Sequence, residues 1–448
     1  MLRKKWNKTL DKLILIIAKN NKTFDKFILS FIYMTLNYIW VGFFIVAFIV
    51  AIFKTLSGNP EIFSLIVNSI FERAELGFKL SIGLTGIMAL WLGIMRIGEK
   101  GGSINILSKF FAPLFSKLFP EIPKNSKAHG AIIMNISANM LGLDNAATPL
   151  GLKAMRELQQ ENPDKNKASN AQILFLVLNT SGLTLIPTSI IALRSTAMAE
   201  NNITGNPADV FLPILIATYC STIAGLIFVS ILQKINLFQK TILAYLGSAT
   251  IVIGMLVWYL INHKNQIEII SSVASGSIIF SFIISFILLG LRNKINIYQE
   301  FIEGAKEGFN VSIRIIPYLI AMLCAIGAFT TSGAMDFIIK GLGSFFGLFL
   351  ENTQFVEALP TAIMKPLSGG GARGMMVESW GQNASQINSF VGKLTSTLQG
   401  STETTFYVLA VYFGSVGIRN TRYAVIAGLF ADFIGIISAI AIAYVFWG

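Results

Sequence analysis

Long apolar runs alternate with short polar ones along this chain, and the runs have the length of membrane crossings. Nine stretches fit, near Tyr33–Phe53, Gly77–Ile97, Gln172–Ala192, Val210–Leu232, Ile242–Ile261, Ile269–Leu291, Ser312–Thr331, Thr397–Gly417 and Tyr423–Trp447. Each approaches the roughly 20 residues that an α-helix needs to cross the hydrocarbon core. Two further apolar stretches, Ala131–Leu152 and Leu359–Met376, are too rich in Gly, Asn, Ser and Pro to cross cleanly. Irregular backbone survives at membrane depth only where protein or a water-filled cavity surrounds it, so both read as re-entrant or broken elements. The pattern predicts an all-α polytopic membrane protein with nine transmembrane helices and two broken elements.

The order of elements repeats. Gly77–Leu232 and Gly308–Trp447 each run as a span, a surface segment, a Gly-rich broken element and two closely following helices. LNTSGLT from Leu178 parallels LQGSTET from Leu398, and LGF from Leu76 parallels EGF from Glu307. With the N-terminus inside, equivalent spans run in opposite directions, which makes the repeats inverted. Secondary transporters carry this signature, with the substrate site between the halves near the bilayer midplane. The expected divisions are a basic amphipathic segment at 1–30, a first half at 31–233, a linking hairpin at 234–295 and a second half at 296–448.

Composition agrees with a membrane protein. Of 448 residues 54% are hydrophobic and only 13% charged, about half the charged share of a soluble domain. The net charge of +12 gathers in Arg3, Lys4, Lys5, Lys8, Lys12, Lys19, Lys22 and Lys26 and in short loops. Anionic headgroups and the positive-inside rule account for it, so no nucleic-acid partner is expected. The basic-loop distribution places the N-terminus inside and the C-terminus outside, with Asp11–Lys26 as an amphipathic surface helix. The first apolar run has no small-residue cleavage site after it, so no cleavable signal peptide is expected. Cys220 and Cys324 lie within apolar runs and read as packing residues. Neither histidine has a ligand cluster, and no catalytic elbow or zinc helix occurs, so no enzyme, metal or cofactor is expected.

Four segments place polar groups where a bilayer makes them costly. In the first, Asn135, Asn139, Asp144, Asn145 and Thr148 sit among Ala, Gly and Leu, with Pro149 and Gly151 interrupting any helix. The backbone groups freed there either ligate a solute or ion, or are capped internally by those amides. Asn135 and Asn139 share one helical face. The second segment, Asn179, Thr180, Ser181 and Thr184 before Pro187, suits a site or helix-to-helix glue equally. The third holds Lys365, Ser368, three glycines and Arg373, either an anion nest or a plain hairpin tip. It lacks the Lys-Ser/Thr ending of a nucleotide loop. The fourth is Gly400, Ser401, Thr402, Glu403, Thr404 and Thr405 at the start of a span. Glu403 is a proton or cation carrier, the counter-ion of Arg373, or a charge serving the helix N-terminus. Asp432 has no helix end to serve, and pairs with Arg419 or Arg422 if it lies shallow.

These strings carry a family resemblance. ISANMLGLDNAATPLGLKAM with LNTSGLTLIP resembles spore maturation protein A, and MKPLSGGGARG with LQGSTETTFYVLAVYFGSVGIRNTRYAVIAGLFAD resembles spore maturation protein B. The chain looks like a fusion of the two, the first part up to about Gln233 and the second from about Asn296. Both belong to the wider nucleoside-recognition or gate-domain group, which includes parts of concentrative nucleoside transporters and the membrane part of the ferrous-iron transporter B. The resemblance implies a transporter-like core but carries no substrate, since one fold hosts many solutes. The gate segments have no cysteine and no GTP-binding domain accompanies them, which weakens an iron reading.

The leading expectation is a permease or secondary transporter-like protein for a small polar solute or ion, multi-pass in a bacterial cytoplasmic membrane. Its site would lie between the two repeats, with Asp144 or Glu403 coupling transport to protons or sodium. A non-transporting envelope scaffold or sensor is one alternative, and a membrane enzyme or lipid flippase another. Beyond the bilayer and the solute, homodimerisation through small lipid-facing residues stays open.

Overall fold

The computed structural model describes residues 21–123, 126–142, 144–263 and 267–448. Most of the surface helix expected at Asp11–Lys26 lies outside them. The described residues hold no strand, only an isolated bridge between Lys167 and Asn420. In chain order the helices are α1 (Asn21–Leu56), α2 (Ile62–Lys100), α3 (Ser103–Leu118), α4 (Lys127–Met140), α5 (Asp144–Glu161) and α6 (Asn170–Thr180). Then come α7 (Thr188–Glu200), α8 (Phe211–Gln233), α9 (Lys240–Asn262), α10 (Ile267–Arg292) and α11 (Ile297–Thr331). The chain ends with α12 (Ala334–Gly347), α13 (Leu359–Leu367), α14 (Gly369–Ser379), α15 (Phe390–Gly400), α16 (Thr405–Ser415) and α17 (Ala424–Trp447).

Seven of these, α1, α2, α8, α9, α10, α11 and α17, are long and apolar enough to cross a membrane. Seven of the nine expected crossings are continuous helices, and the stretches expected to form the other two are interrupted, as α6–α7 and α15–α16. The apolar pattern runs through both interruptions and hides them. Gly182, in the left-handed region at φ 55°, and Pro187, which donates no N–H, end the first. In the second, the Ser401 hydroxyl donates back to the Leu398 carbonyl at 2.9 Å, offering the backbone an alternative to helix. Ala131–Leu152 and Leu359–Met376 become the helical hairpins α4–α5 and α13–α14.

The two repeats correspond helix for helix: α2 with α11, α3 with α12, each hairpin with the other, α6–α7 with α15–α16, and α8 with α17. Equivalent elements lie antiparallel. Along α2 and α11, Gly77 meets Ile320, Ala89 meets Gly308 and Gly93 meets Phe301. Along the broken pair, Phe175 stacks on Tyr412, Thr180 bonds Glu403 and Arg194 bonds Ser396. Along α8 and α17, Ser221 meets Gly435 and Phe228 stacks on Phe430. Opposed directions in these three equivalent pairs make the repeat inverted.

Local chemistry repeats with it. Gly102 and Gly333, at φ 84° and 87°, turn the chain from the long helix into the amphipathic one in each half, a conformation that favours glycine. Ser169 and Ser389 cap α6 and α15 by accepting from Gln172 N and Gly392 N, each cap contributing about 1 kcal/mol. The hairpin α9–α10 stands outside the repeats, and its exposed Ile251, Val252, Met255 and Trp258 suit lipid.

The α2–α11 crossing depends on its glycines, since a Cβ on Gly308 would lie 2.6 Å from the Ala89 backbone. Gly308→Ala is expected to destabilise the protein by about 1–3 kcal/mol. Gly254→Ala on α9, where a Cβ meets nothing within 4 Å, is expected to be neutral or slightly stabilising. Thermal unfolding in detergent compares the two; equal effects would show that close approach at Gly308 is unimportant.

Candidate functional site

The site is built where helices end. The last carbonyls of a helix and the first amides of the next lack partners within their own helices. In lipid they must find partners elsewhere in the protein. Here the two interruptions supply each other: Glu403 N, just before α16, donates to Thr180 O, at the end of α6, over 2.8 Å. Gly182 lies against Glu403, with room for its methylenes only because it has no side chain. Each hairpin tip docks on the break of its own repeat. Leu185 N donates to Met140 O at 2.8 Å, and Gln399 Nε2 donates to Gly369 O at 3.3 Å. Helix ends of both signs therefore converge on one region, the arrangement that holds charged and polar solutes in broken-helix transporters.

The first half supplies an amide cluster. Asn135 Nδ2 donates to Ala147 O at 2.8 Å and lies 3.5 Å from Tyr412 Oη. Asn139 Nδ2 donates to Asn179 Oδ1 at 2.8 Å and approaches Asn135 Oδ1 at 3.4 Å. Asn179 Nδ2 in turn donates to Phe175 O at 2.8 Å. Asn135, Asn139 and Asn179 thus tie the first hairpin to α6 and reach α16. Thr180 and Ser181 are buried, and their hydroxyls donate to Val177 O and Leu178 O. Thr148 is exposed on α5, away from this buried cluster; the side chains of Asp144 and Asn145 lie outside the described residues.

The second half is arranged differently. Ser368 caps α14 by accepting from Gly371 N at 3.0 Å, and Gly369 packs beneath Thr404. Ser401, Thr402 and Thr404 are buried and Arg373 is half-buried, whereas Glu403 is exposed. Gly400 lies against Ile190 and Ile214, letting the end of α15 approach α7 and α8. Buried Lys365 approaches from α13.

Two clasps close the ends of the broken helices. At one, Arg419 N and Asn420 N donate to Asn166 O, Ala168 N donates to Asn420 O, and Arg422 Nη1 donates to Ala168 O at 3.0 Å. At the other, Arg194 is fully buried and donates to Pro207 O, Ile387 O, Ser396, Asp209 and Asn388. Lys393 shares the Asp209 carboxylate at 3.0 Å. Arg194 was legible as a lone cation inside TSIIALRSTAMA but is absent from the expected site. The expected pairing of Asp432 with Arg419 or Arg422 does not form. Arg422 serves the first clasp ahead of α17, whereas Asp432 lies about 12 Å along that helix from its first residue, Ala424, at 1.5 Å per residue, and no hydrogen bond to either arginine forms.

The nucleoside recognition family model, Gate, matches residues 81–197 and 312–419, one segment in each repeat. The chain belongs to the nucleoside recognition family. Within it the chain is 40% identical over 192 residues to spore maturation protein A of Bacillus subtilis (strain 168), spanning 43% of this chain and 92% of that protein. It is 42% identical over 165 residues to spore maturation protein B of the same organism, spanning 36% of this chain and 88% of that protein. Each Gate segment ends near a clasp, so the clasps join one Gate repeat to the other.

Arg194→Met removes the guanidinium donors from the second clasp while leaving its carbonyls, Asp209 and Lys393 in place. Breaking a buried ion pair from one side costs about 3–5 kcal/mol; with Lys393 retained on Asp209, a loss near the lower figure is expected. Chemical denaturation in detergent measures it, and a negligible loss would mean the clasp does not hold the halves together.

Proposed function

We propose that this Gate-family protein is a membrane permease for a small polar solute, bound where the two broken helices cross. The observation that carries the proposal is the mutual contact of the two interruptions, Glu403 N to Thr180 O, with a hairpin tip on each and an exposed carboxylate, Glu403, beside them. An inverted pair of such elements gives two related ways of closing around one point, the requirement of alternating access. The family description makes nucleosides the first class to try. They offer ring nitrogens, a carbonyl or amine and ribose hydroxyls, which suit backbone amides, hydroxyls and a carboxylate. The proposal places the protein in a bacterial cytoplasmic membrane with its N-terminus inside and assigns it no catalytic step.

One observation favours a non-transporting scaffold as the second reading. Asn135, Asn139 and Asn179 satisfy one another and nearby carbonyls, as glue does. An apolar cavity of about 350 Å³ between α1, α11 and α12, lined by Val46, Val50, Phe329 and Phe337, lies apart from the crossing and decides neither reading.

Purified full-length protein in liposomes, preloaded with one nucleoside and challenged with its radiolabelled form, tests the proposal. Counterflow is expected for at least one nucleoside, falling about tenfold or more in Glu403→Gln, the loss of roughly 1.4 kcal/mol of binding. If nucleosides, carboxylates and metal ions all gave neither binding nor flux, and Glu403→Gln changed nothing, the scaffold reading would stand instead.

A further inference from the structure

Asp432 lies well inside α17 and is 1% exposed. Gly428 and Gly435 flank it, about one turn to either side. A Cβ on Gly428 would come 2.8 Å from Thr405 Cγ2, and one on Gly435 the same distance from Thr402 Cγ2. The glycines therefore let the α15–α16 interruption press against α17 on both sides of the carboxylate. From α8, Ser221 Oγ closes the other flank by donating to Ala431 O at 2.9 Å.

Thr402 and Thr405 face Asp432 and are 3% and 0% exposed. No hydrogen bond of good geometry reaches either Asp432 oxygen, Thr402 Oγ1 or Thr405 Oγ1, although both hydroxyls lie close enough to the carboxylate to interact with it. Nearby hydroxyls of the same interruptions are satisfied, Ser401 by Leu398 O and Thr180 by Val177 O. Four oxygens without a well-formed hydrogen bond at one buried point is an expensive arrangement unless something they all coordinate lies between them. The charged groups within electrostatic reach of Asp432 are Lys365 from α13 and Glu403 from the interruption. Glu403 is exposed, so among the described residues Asp432 is the one buried carboxylate at this point.

We propose that Asp432, Thr402 and Thr405 form an occluded site for a sodium-sized monovalent cation. Oxygen-only donors suit a hard cation, and a site with a single buried carboxylate beside Lys365 favours a monovalent ion over a divalent one. The site stands apart from the solute reading, since cation binding needs no solute. Because Thr402 and Thr405 flank Glu403, the cation would fix the interruption from which Glu403 projects.

The test is the thermal unfolding of the purified full chain, without solute, at neutral pH. Sodium chloride is titrated against N-methyl-D-glucamine chloride at constant ionic strength. The midpoint temperature is expected to rise saturably with sodium. Thr405→Val should raise the half-saturating concentration about tenfold, equivalent to roughly 1.4 kcal/mol, and Asp432→Asn should abolish the response. A sodium response unchanged in Asp432→Asn would overturn the proposal. So would wild-type protein stabilised equally by both salts; a repeat without sodium at acidic pH that gave the whole stabilisation would likewise overturn it, making the occupant a proton. Should Asp432→Asn fail to fold, Thr402→Val and Thr405→Val decide the matter, and unaltered half-saturation in both rejects the site.

Discussion

The rest of the structure depends on one backbone hydrogen bond, from Glu403 to Thr180. Each interrupted helix has carbonyls and amides that water would satisfy in a soluble protein and lipid cannot. The fold answers by laying one interruption across the other, so that the donor surplus at the start of α16 meets the acceptor surplus at the end of α6. Antiparallel packing of equivalent elements is the geometry that allows this. Two identical parallel interruptions would present like ends to each other. Inversion of the repeat and tolerance of broken helices are thus one constraint seen twice.

From that crossing the two halves diverge in chemistry while keeping their architecture. The first half fills its share with amides, each both donor and acceptor, and they close into a self-satisfied set around Asn139 and Asn179. The second half fills its share with hydroxyls, Lys365, Glu403 and Asp432, and leaves several oxygens unanswered. A symmetric scaffold with an asymmetric filling is what a device needs if one side is to hold and the other to respond. Glycine marks both: Gly182 makes room at Glu403, and Gly428 and Gly435 make room beside Asp432.

Much of this was legible beforehand. Apolar run lengths located the seven continuous helices, and Gly, Asn and Pro content located both hairpins. The paired strings at Leu178 and Leu398 begin within α6 and α15 and run into their interruptions at the same third residue. What stayed hidden has physical causes. Hydropathy averages over a break of a few residues, so α6–α7 and α15–α16 looked continuous. Arg194 stood out as a lone cation, but its role was hidden because its partners, Pro207 O, Ile387 O, Ser396, Asp209 and Asn388, lie well away along the chain, where no local pattern reveals them. The surroundings of Asp432 were unreadable for a similar reason: Thr402, Thr405 and Lys365 reach it only through the tertiary fold.

The hairpin α9–α10 shows much of its surface to lipid and packs the rest on the core through Phe286 and Leu260, and it also joins the two halves in one chain. Were the halves separate molecules, the crossing and both clasps would be a bimolecular contact, sensitive to dilution in the membrane and to unequal synthesis. A tether of two membrane-spanning helices makes the encounter unimolecular. Membrane crowding, expression level and subunit turnover then drop out of the equilibrium, and every molecule carries its two halves in equal number.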